Sequence, residues 1–177
     1  METKSNDMSK QYGLTLIELL VTLAILAILM TLALPSFRDF FSSNRIAAAT
    51  SDFVTSLNLA RSEAIRRGAQ VTMLSTNGSG DWGGGWTMFV DTDRDEVFDA
   101  GEERLRMANA LSVPTTLYGD GNFTSFIAFL PTGRITNNVG GSFAICHDDS
   151  TSGAKSITVI GTGRVRVSNS AADCLVP

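Results

Sequence analysis

The chain has 177 residues, with 14 basic and 18 acidic side chains and a formal net charge of −4 at pH 7. This acidic balance excludes a broadly basic nucleic-acid-binding protein, and residues 35–177 suit one domain with a modest core. A single histidine, His147, and two cysteines cannot supply the four ligands of a structural zinc site. The sequence contains no nucleophile elbow and no phosphate-binding glycine loop ahead of a helix, so we predict that the protein is not an enzyme.

The first 13 residues, METKSNDMSKQYG, are polar and carry Lys4 and Lys10 ahead of an apolar run, as a targeting leader does. A secretory signal peptide has its small-residue cleavage site after the apolar region, whereas Gly13 stands before it. We therefore predict a leader over residues 1–13 that differs from a secretory signal peptide.

Residues 14–34 are apolar except for three threonines and one carboxylate, Glu18. A helix over this segment would be about 32 Å long, which matches the hydrocarbon layer of a bilayer at about 30 Å. We predict a transmembrane segment whose C-terminal side is extracytoplasmic, because the leader lysines favour the cytoplasm. An ionised carboxylate in hydrocarbon costs about 2.5–3.5 kcal/mol, so Glu18 requires a partner.

The junction over residues 13–20, GLTLIELL, resembles the cleavage site of type IV prepilins and pseudopilins. The resemblance implies that a prepilin peptidase cuts after Gly13 and methylates the new amino terminus at Leu14, where the family usually has phenylalanine. It also implies that Glu18 neutralises the amino terminus of a neighbouring subunit during filament assembly, which removes the cost of a lone carboxylate in lipid. The alternative is a plain single-span anchor.

The helix is expected to continue over residues 35–67 as an amphipathic half. Gly68, after two arginines, predicts its end. Ser62 and Arg66 are expected to face outward, and the apolar face should lie on a sheet. That face carries Phe53, Val54, Leu57, Ala60, Arg61 and Ala64 at helical spacing.

Residues 68–177 carry the pattern of an extracytoplasmic antiparallel β domain. The sequence therefore predicts an α+β fold in which a long N-terminal helix packs on antiparallel strands. The predicted strands cover residues 71–75, 86–90, 123–130, 142–146, 156–160 and 165–167.

The whole chain resembles the GspH/FimT family of minor pilins and pseudopilins. Besides the cleavage junction, the resemblance is carried by ARSEAIRRG at 60–68, GWTMFVDTDRD at 85–95, EERLR at 102–106 and the terminal GRVR. It implies a type IV pilin-like fold and a minor pilin that assembles near the tip of a type IV pilus or primes its growth. The alternative is the GspH-type pseudopilin of a type II secretion system.

The same resemblance implies where the protein lies and what it contacts. We expect a single-pass protein of the bacterial inner membrane with its C-terminal domain in the periplasm, which enters a pilus or pseudopilus on assembly. A pilus would carry it to the cell surface. The expected partners are other minor pilins, the major pilin or pseudopilins, the prepilin peptidase, and membrane lipid before assembly.

Cys146 and Cys174 lie beyond the apolar segment, where an oxidising compartment would let them pair. Closing a loop of about 29 residues is worth roughly 3–4 kcal/mol in the chain-entropy model. The alternatives are two free thiols or metal ligands. A disulfide-closed C-terminal loop is more characteristic of pilins, so this pairing favours the pilus over the secretion machine.

An acidic segment places carboxylates at positions 1, 3, 5, 9 and 12 of a calcium-loop pattern. Position 6 is Glu96 where such a loop has glycine, and strands flank the segment in place of helices. Two interpretations stay open, a calcium site and a solvated acidic hairpin loop; no other cofactor is expected. The five carboxylates belong to Asp91, Asp93, Asp95, Asp99 and Glu102.

The segment Gly163-Arg164-Val165-Arg166 resembles the GRxR motif of DNA-binding FimT-type minor pilins. Strand alternation places both arginines on one face, and Gly163 leaves room for a phosphate backbone. Arg134 and Lys155 are candidate neighbours. The resemblance implies weak, salt-sensitive contacts with double-stranded DNA for uptake. The alternative is a structural glycine-arginine strand that binds no DNA.

The processing prediction is tested by mass spectrometry of the protein from cells, which should show a chain that begins at Leu14 with a methylated amine. We expect Glu18→Gln to abolish incorporation into filaments, because a neutral amide cannot pair with a neighbour's amine. Immunoblots of sheared filaments measure incorporation, and Leu19→Ile is the matched control. An uncut leader, or normal incorporation of Glu18→Gln, would contradict the prediction.

Overall fold

The computed structural model describes residues 15–148, 150–169 and 174, with the backbone alone for residues 32–39, 150 and 152. The predicted leader and the predicted cleavage site at Gly13 and Leu14 lie outside the described residues. The chain divides into two compact units, Met1–Phe40 and Phe41–Pro177.

Helix α1 covers Leu16–Arg67. Thr15 caps its start, since its Oγ1 accepts the Glu18 amide at 3.3 Å and its carbonyl accepts the Leu19 amide at 3.2 Å. Gly68 ends the helix at φ +64°, a conformation that glycine adopts without steric cost, which confirms the predicted end. Among the residues whose side chains are described, no helix has the length and apolar character needed to cross a membrane.

Strands β1 to β8 follow α1 in the described part of the chain, and every pairing is antiparallel. The first sheet has the order β3-β2-β1-β5 and the second the order β4-β6-β7-β8. The predicted α+β architecture is confirmed. The bounds are β1 Gln70–Ser75, β2 Trp86–Asp91, β3 Arg104–Ala108, β4 Thr115–Gly119, β5 Phe126–Phe129, β6 Gly140–His147, β7 Ser150–Ile160 and β8 Val165–Ser168.

The core of the second unit lies between α1 and the two sheets, with Phe53 of α1 at its centre. The Phe53 ring meets Trp86 of β2, Phe143 of β6 and Trp82 edge-on, at centroid distances of 5.0, 4.7 and 5.6 Å. The predicted apolar face of α1 is therefore confirmed as its packing face, and Ser62 and Arg66 are exposed. The fully buried α1 side chains in this core are Ile46, Phe53, Leu57, Ala60 and Ala64.

The strands differ from the prediction in four main respects, one of which is that β7 begins at Ser150 and not at residue 156. The expected strand over residues 123–130 shrinks to Phe126–Phe129, because the Phe123 carbonyl instead accepts the buried Trp82 Nε1 at 2.7 Å. Strand β3 was not predicted, since it alternates arginines at a sheet edge and carries no apolar run. Strand β4 is short and begins with two threonines, and only its pairing with β6 reveals it.

The predicted disulfide is confirmed, since Cys146 and Cys174 are bonded. Both sulfur-bearing residues are buried and pack with Ala144 and Ala154 beside the second sheet. The bond joins β6 to a residue 28 positions later, close to the C-terminus. It therefore holds Cys174 against the domain.

Candidate functional site

Glu18 lies in the first turn of α1 and is exposed. A carboxylate is favoured there, because the helix dipole places partial positive charge at the N-terminus. Within the part of the chain that the structure describes, no basic side chain forms an ion pair with Glu18. Its predicted partner would come from outside this chain, and its role in assembly stays a prediction.

The predicted basic residues lie around two turns whose backbones touch. One turn joins β5 to β6 through Gly133 at φ +75°, and the other joins β7 to β8 through Gly163 at φ +77°. A Cβ on Gly163 would overlap the Gly133 carbonyl oxygen. Only glycine therefore permits this approach of the two turns.

Arg134 follows Gly133, and Arg164 follows Gly163, so two exposed arginines stand on adjoining turns. Arg166 of β8 pairs with Thr158 of β7. The alternation of side chains along a strand places Arg166 on the same face as Arg164. None of the three forms an ion pair with a described residue, although Arg134 donates to the Asn138 side chain. We call Arg134, Arg164 and Arg166 the basic surface.

Lys155 does not belong to the basic surface, contrary to its predicted place beside the arginines. Thr158 pairs with Arg166 and shares its face, whereas Lys155 differs from Thr158 by an odd number of positions on β7. The Lys155 ammonium group instead donates to Asn169 at 3.2 Å. Because side chains alternate along a strand, Lys155 lies on the face of the sheet opposite to Arg166.

Arg61 is the residue near this surface that the sequence prediction missed. It lies on α1, and its Nε donates to the Gly133 carbonyl oxygen at 2.9 Å. The signal was present in the sequence, because an arginine on an otherwise apolar helical face requires a polar partner.

Asp91 of the predicted calcium loop is buried and serves the fold. Its carboxylate accepts Gln70 Nε2 at 2.9 Å and Thr72 Oγ1 at 2.7 Å. It also accepts the backbone amides of Arg94 at 2.7 Å and Glu96 at 3.2 Å. These bonds join the start of the β2–β3 loop to strand β1.

The structure brings three of the five predicted calcium ligands together. Carboxylate oxygens of Asp91, Asp93 and Asp95 lie within 4.8 Å of one another. Glu102 instead accepts the amides of Thr92 at 2.9 Å and Asp99 at 3.1 Å, which ties the two ends of the loop.

The loop adopts a sharp turn although its sixth position is not glycine, since Glu96 has φ +62°. The negative charges of the loop repel one another. The charge of Asp95, with burial and the charges of Asp93 and Glu102 adding to it, raises the pKa of Asp99. Burial, with Asp91 beside it, raises the pKa of Glu96. A bound cation would relieve this repulsion.

An ion network joins the end of α1 to the same loop. Glu63 accepts from Arg67 Nε at 2.7 Å, and Arg67 Nη1 donates to Glu103 at 2.6 Å. Hydrogen bonds from Arg66 and Arg67 lower the pKa of Glu63 to about 2. The helix-end segment ARSEAIRRG and the segment EERLR meet through these bonds.

Comparison with known families decides the identity of the chain. A family model described as type II transport protein GspH matches residues 49–163, and the prokaryotic N-terminal methylation motif matches residues 8–34. The chain belongs to the GspH family. It is thereby a pilin-like protein of the minor pilin and pseudopilin type.

Relatives of this GspH-family chain include a pilin-like protein, PilA1, of Thermus thermophilus, which is 44% identical over 94 residues. That match covers 51% of the chain and 55% of the relative. A fimbrial protein of Pseudomonas aeruginosa is 35% identical over 69 residues, which cover 39% of the chain and 44% of the relative. The chain thus spans about half the length of the curated relatives it matches.

Solved structures share the fold of the GspH-family chain. The type IV minor pilin FimU of Pseudomonas aeruginosa matches with a TM-score of 0.67 and 21% identity, over 77% of this chain and 99% of that chain. The minor pseudopilin EpsH of the type 2 secretion system of Vibrio cholerae matches with a TM-score of 0.52 and 14% identity, over 71% and 97%. The predicted type IV pilin-like fold is confirmed.

Asp91→Ala is expected to lower the free energy of unfolding by about 3 kcal/mol, because it leaves several buried donors without an acceptor. Asp93→Ala, at an exposed position, should stay within about 0.5 kcal/mol of the wild type. Urea denaturation followed by the fluorescence of buried Trp82 and Trp86 measures both. Equal stabilities for the two variants would contradict the structural role of Asp91.

Calcium binding by the loop stays a prediction, which isothermal titration calorimetry of the full chain in detergent micelles checks. If the loop binds calcium, the wild type gives heat beyond dilution that disappears in Asp93→Ala, since Asp93 offers an exposed ligand. A titration of the wild type without such heat would support the solvated acidic loop.

Proposed function

We propose that the protein is a minor pilin of a type IV pilus that takes part in assembly or priming of the filament. Membership of the GspH family supports a minor pilin or pseudopilin, and filament assembly with other pilins. The Cys146–Cys174 disulfide favours the pilus over the secretion system, because a disulfide-closed C-terminal loop is characteristic of pilins. The names of the sequence relatives, a pilin-like protein and fimbrial proteins, agree with this choice.

Before assembly, the protein would lie in the bacterial inner membrane with its C-terminal domain in the periplasm. The match to the N-terminal methylation motif supports this localisation and cleavage by a prepilin peptidase. Glu18, exposed in the first turn of α1, would then meet the methylated amine of a neighbouring pilin. Mutual neutralisation of these charges favours the assembled state, because neither charge then stands alone in lipid.

Deletion of the gene in its own organism distinguishes the pilus from a type II secretion machine. We expect a loss of piliation or twitching with exoprotein release unchanged, because a pilus subunit has no part in secretion. Complementation with the wild-type gene is the control. Loss of exoprotein release with normal piliation would instead support the pseudopilin.

A second function, contact with double-stranded DNA, is favoured by the basic surface. Its three arginines are exposed on adjoining turns or on the neighbouring strand, and no described acidic side chain pairs with them. Each phosphate contact lowers log affinity by about 0.9 per tenfold rise in salt, so three contacts give weak binding that salt disrupts. The acidic loop, in contrast, would repel a polyanion.

A gel shift at low salt with the full chain in detergent micelles checks the contact with DNA. The double variant Arg164→Ala with Arg166→Ala should lose the shift of a short duplex, because two phosphate contacts disappear. Lys155→Ala is the matched control: it removes one positive charge on the opposite face of the sheet and should bind as the wild type does. Equal mobility with the wild type and the double variant would contradict the proposal.

A further inference from the structure

Arg61 joins three separate elements of the second unit at the basic surface. The residue is half-buried on the packing side of α1, and its Nε–Gly133 hydrogen bond spans 72 positions of the sequence. A Cβ built on Gly133 would lie 3.2 Å from Arg61 Nε and 2.8 Å from Ile65 Cδ1. The β5–β6 turn therefore rests directly on the α1 side chains.

The β7–β8 turn lies on the same guanidinium group. A Cβ built on Gly163 would lie 3.0 Å from Arg61 Nε, besides overlapping the Gly133 carbonyl. Each turn is also closed by its own backbone bonds, from Gly133 N to Leu130 O at 2.8 Å and from Gly163 N to Ile160 O at 2.7 Å. The Arg61 side chain thus contacts both turns from the α1 side.

We propose that Arg61 is the positioning residue of the basic surface, holding the turns that carry Arg134 and Arg164 in one arrangement. The part of this proposal that concerns DNA rests on the proposed function. The two turns already share one backbone hydrogen bond, from the Ile135 amide to the Gly161 carbonyl at 3.2 Å, and a tether from the helix would hold this pair against α1. A charge-assisted hydrogen bond to the Gly133 carbonyl supplies that tether.

Arg61 also adds positive charge to the surface that it orders. Among the described residues, Arg61 donates a hydrogen bond only from Nε, so Nη1 and Nη2 remain available as donors. Arginine differs from lysine here, since a planar fork donates to the carbonyl at one edge and keeps donors at the other. A phosphodiester backbone lying across the turns would meet a surface that includes the Arg61 guanidinium.

The test compares Arg61→Met with Arg66→Met in the full chain in detergent micelles. Both variants remove one arginine of α1, but Arg66 is 64% exposed and bonds to Glu63 instead of the turns. Hydrogen–deuterium exchange should rise about tenfold at the amides of residues 132–134 and 161–164 in Arg61→Met and not in Arg66→Met, the factor expected for one lost charge-assisted hydrogen bond. Unchanged exchange at both turns in Arg61→Met would overturn the proposal.

Fluorescence anisotropy with a short DNA duplex adds the functional measurement. Arg61→Met should weaken binding about tenfold, and Arg66→Met by less. Equal weakening by both variants would overturn a specific role of Arg61 in DNA contact. If the wild type binds no duplex, the proposed DNA function fails, while the exchange comparison still decides whether Arg61 positions the turns.

Arg61→Lys keeps the test decisive if Arg61→Met does not fold. Lysine preserves the charge but has no Nε donor, so exchange at the two turns should still rise, by less than in a variant without a donor. Exchange equal to that of the wild type would show that the Nε donor of Arg61 is not required and would overturn the role assigned to its hydrogen bond with Gly133.

Discussion

The edge-on packing of Phe53 against aromatic rings of both sheets is the contact on which the second unit depends. Trp86 belongs to the first sheet and Phe143 to the second, so one α1 side chain holds both sheets against the helix. Interiors packed at this density permit little displacement of the elements that they join. The orientation of α1 about its axis is thereby set, and with it the direction in which its arginines point.

Two arginines near the end of α1 contact regions of opposite charge. Arg61 bonds to Gly133 beside the basic surface, whereas Arg67 bonds to Glu103 at the end of the acidic β2–β3 loop. The acidic loop is organised further by Asp91, whose buried carboxylate accepts four donors. A protein with an overall negative charge thus presents its positive charge at a defined place. An acidic protein with one basic surface can contact a polyanion there and repel it elsewhere.

Membership of the GspH family gives these features a context in filament assembly. A pilin-like subunit needs a helix for packing with other subunits and a globular domain that remains folded. The Cys146–Cys174 bond and the ion network around Glu63 serve the second need, because they tie the C-terminal part and the helix end to the sheets. Glu18 and the basic surface, for which we propose contacts with partners, are exposed and do not form part of the core.

The sequence by itself determined α1 and its end at Gly68, the α+β class and most strands, because these follow from local periodicity and turn residues. It also indicated the cysteine pair, because both cysteines lie on the side of the apolar segment where an oxidising compartment is expected. Only the tertiary structure revealed β3, an edge strand without an apolar run, and β4, whose partner β6 comes after β5 in the chain. It also separated Lys155 from Arg166, because strand parity depends on register, and it showed that Asp91 is a buried acceptor of hydrogen bonds from β1 and from its own loop. The role of Arg61 arises from a carbonyl 72 positions away, a contact that no local pattern encodes.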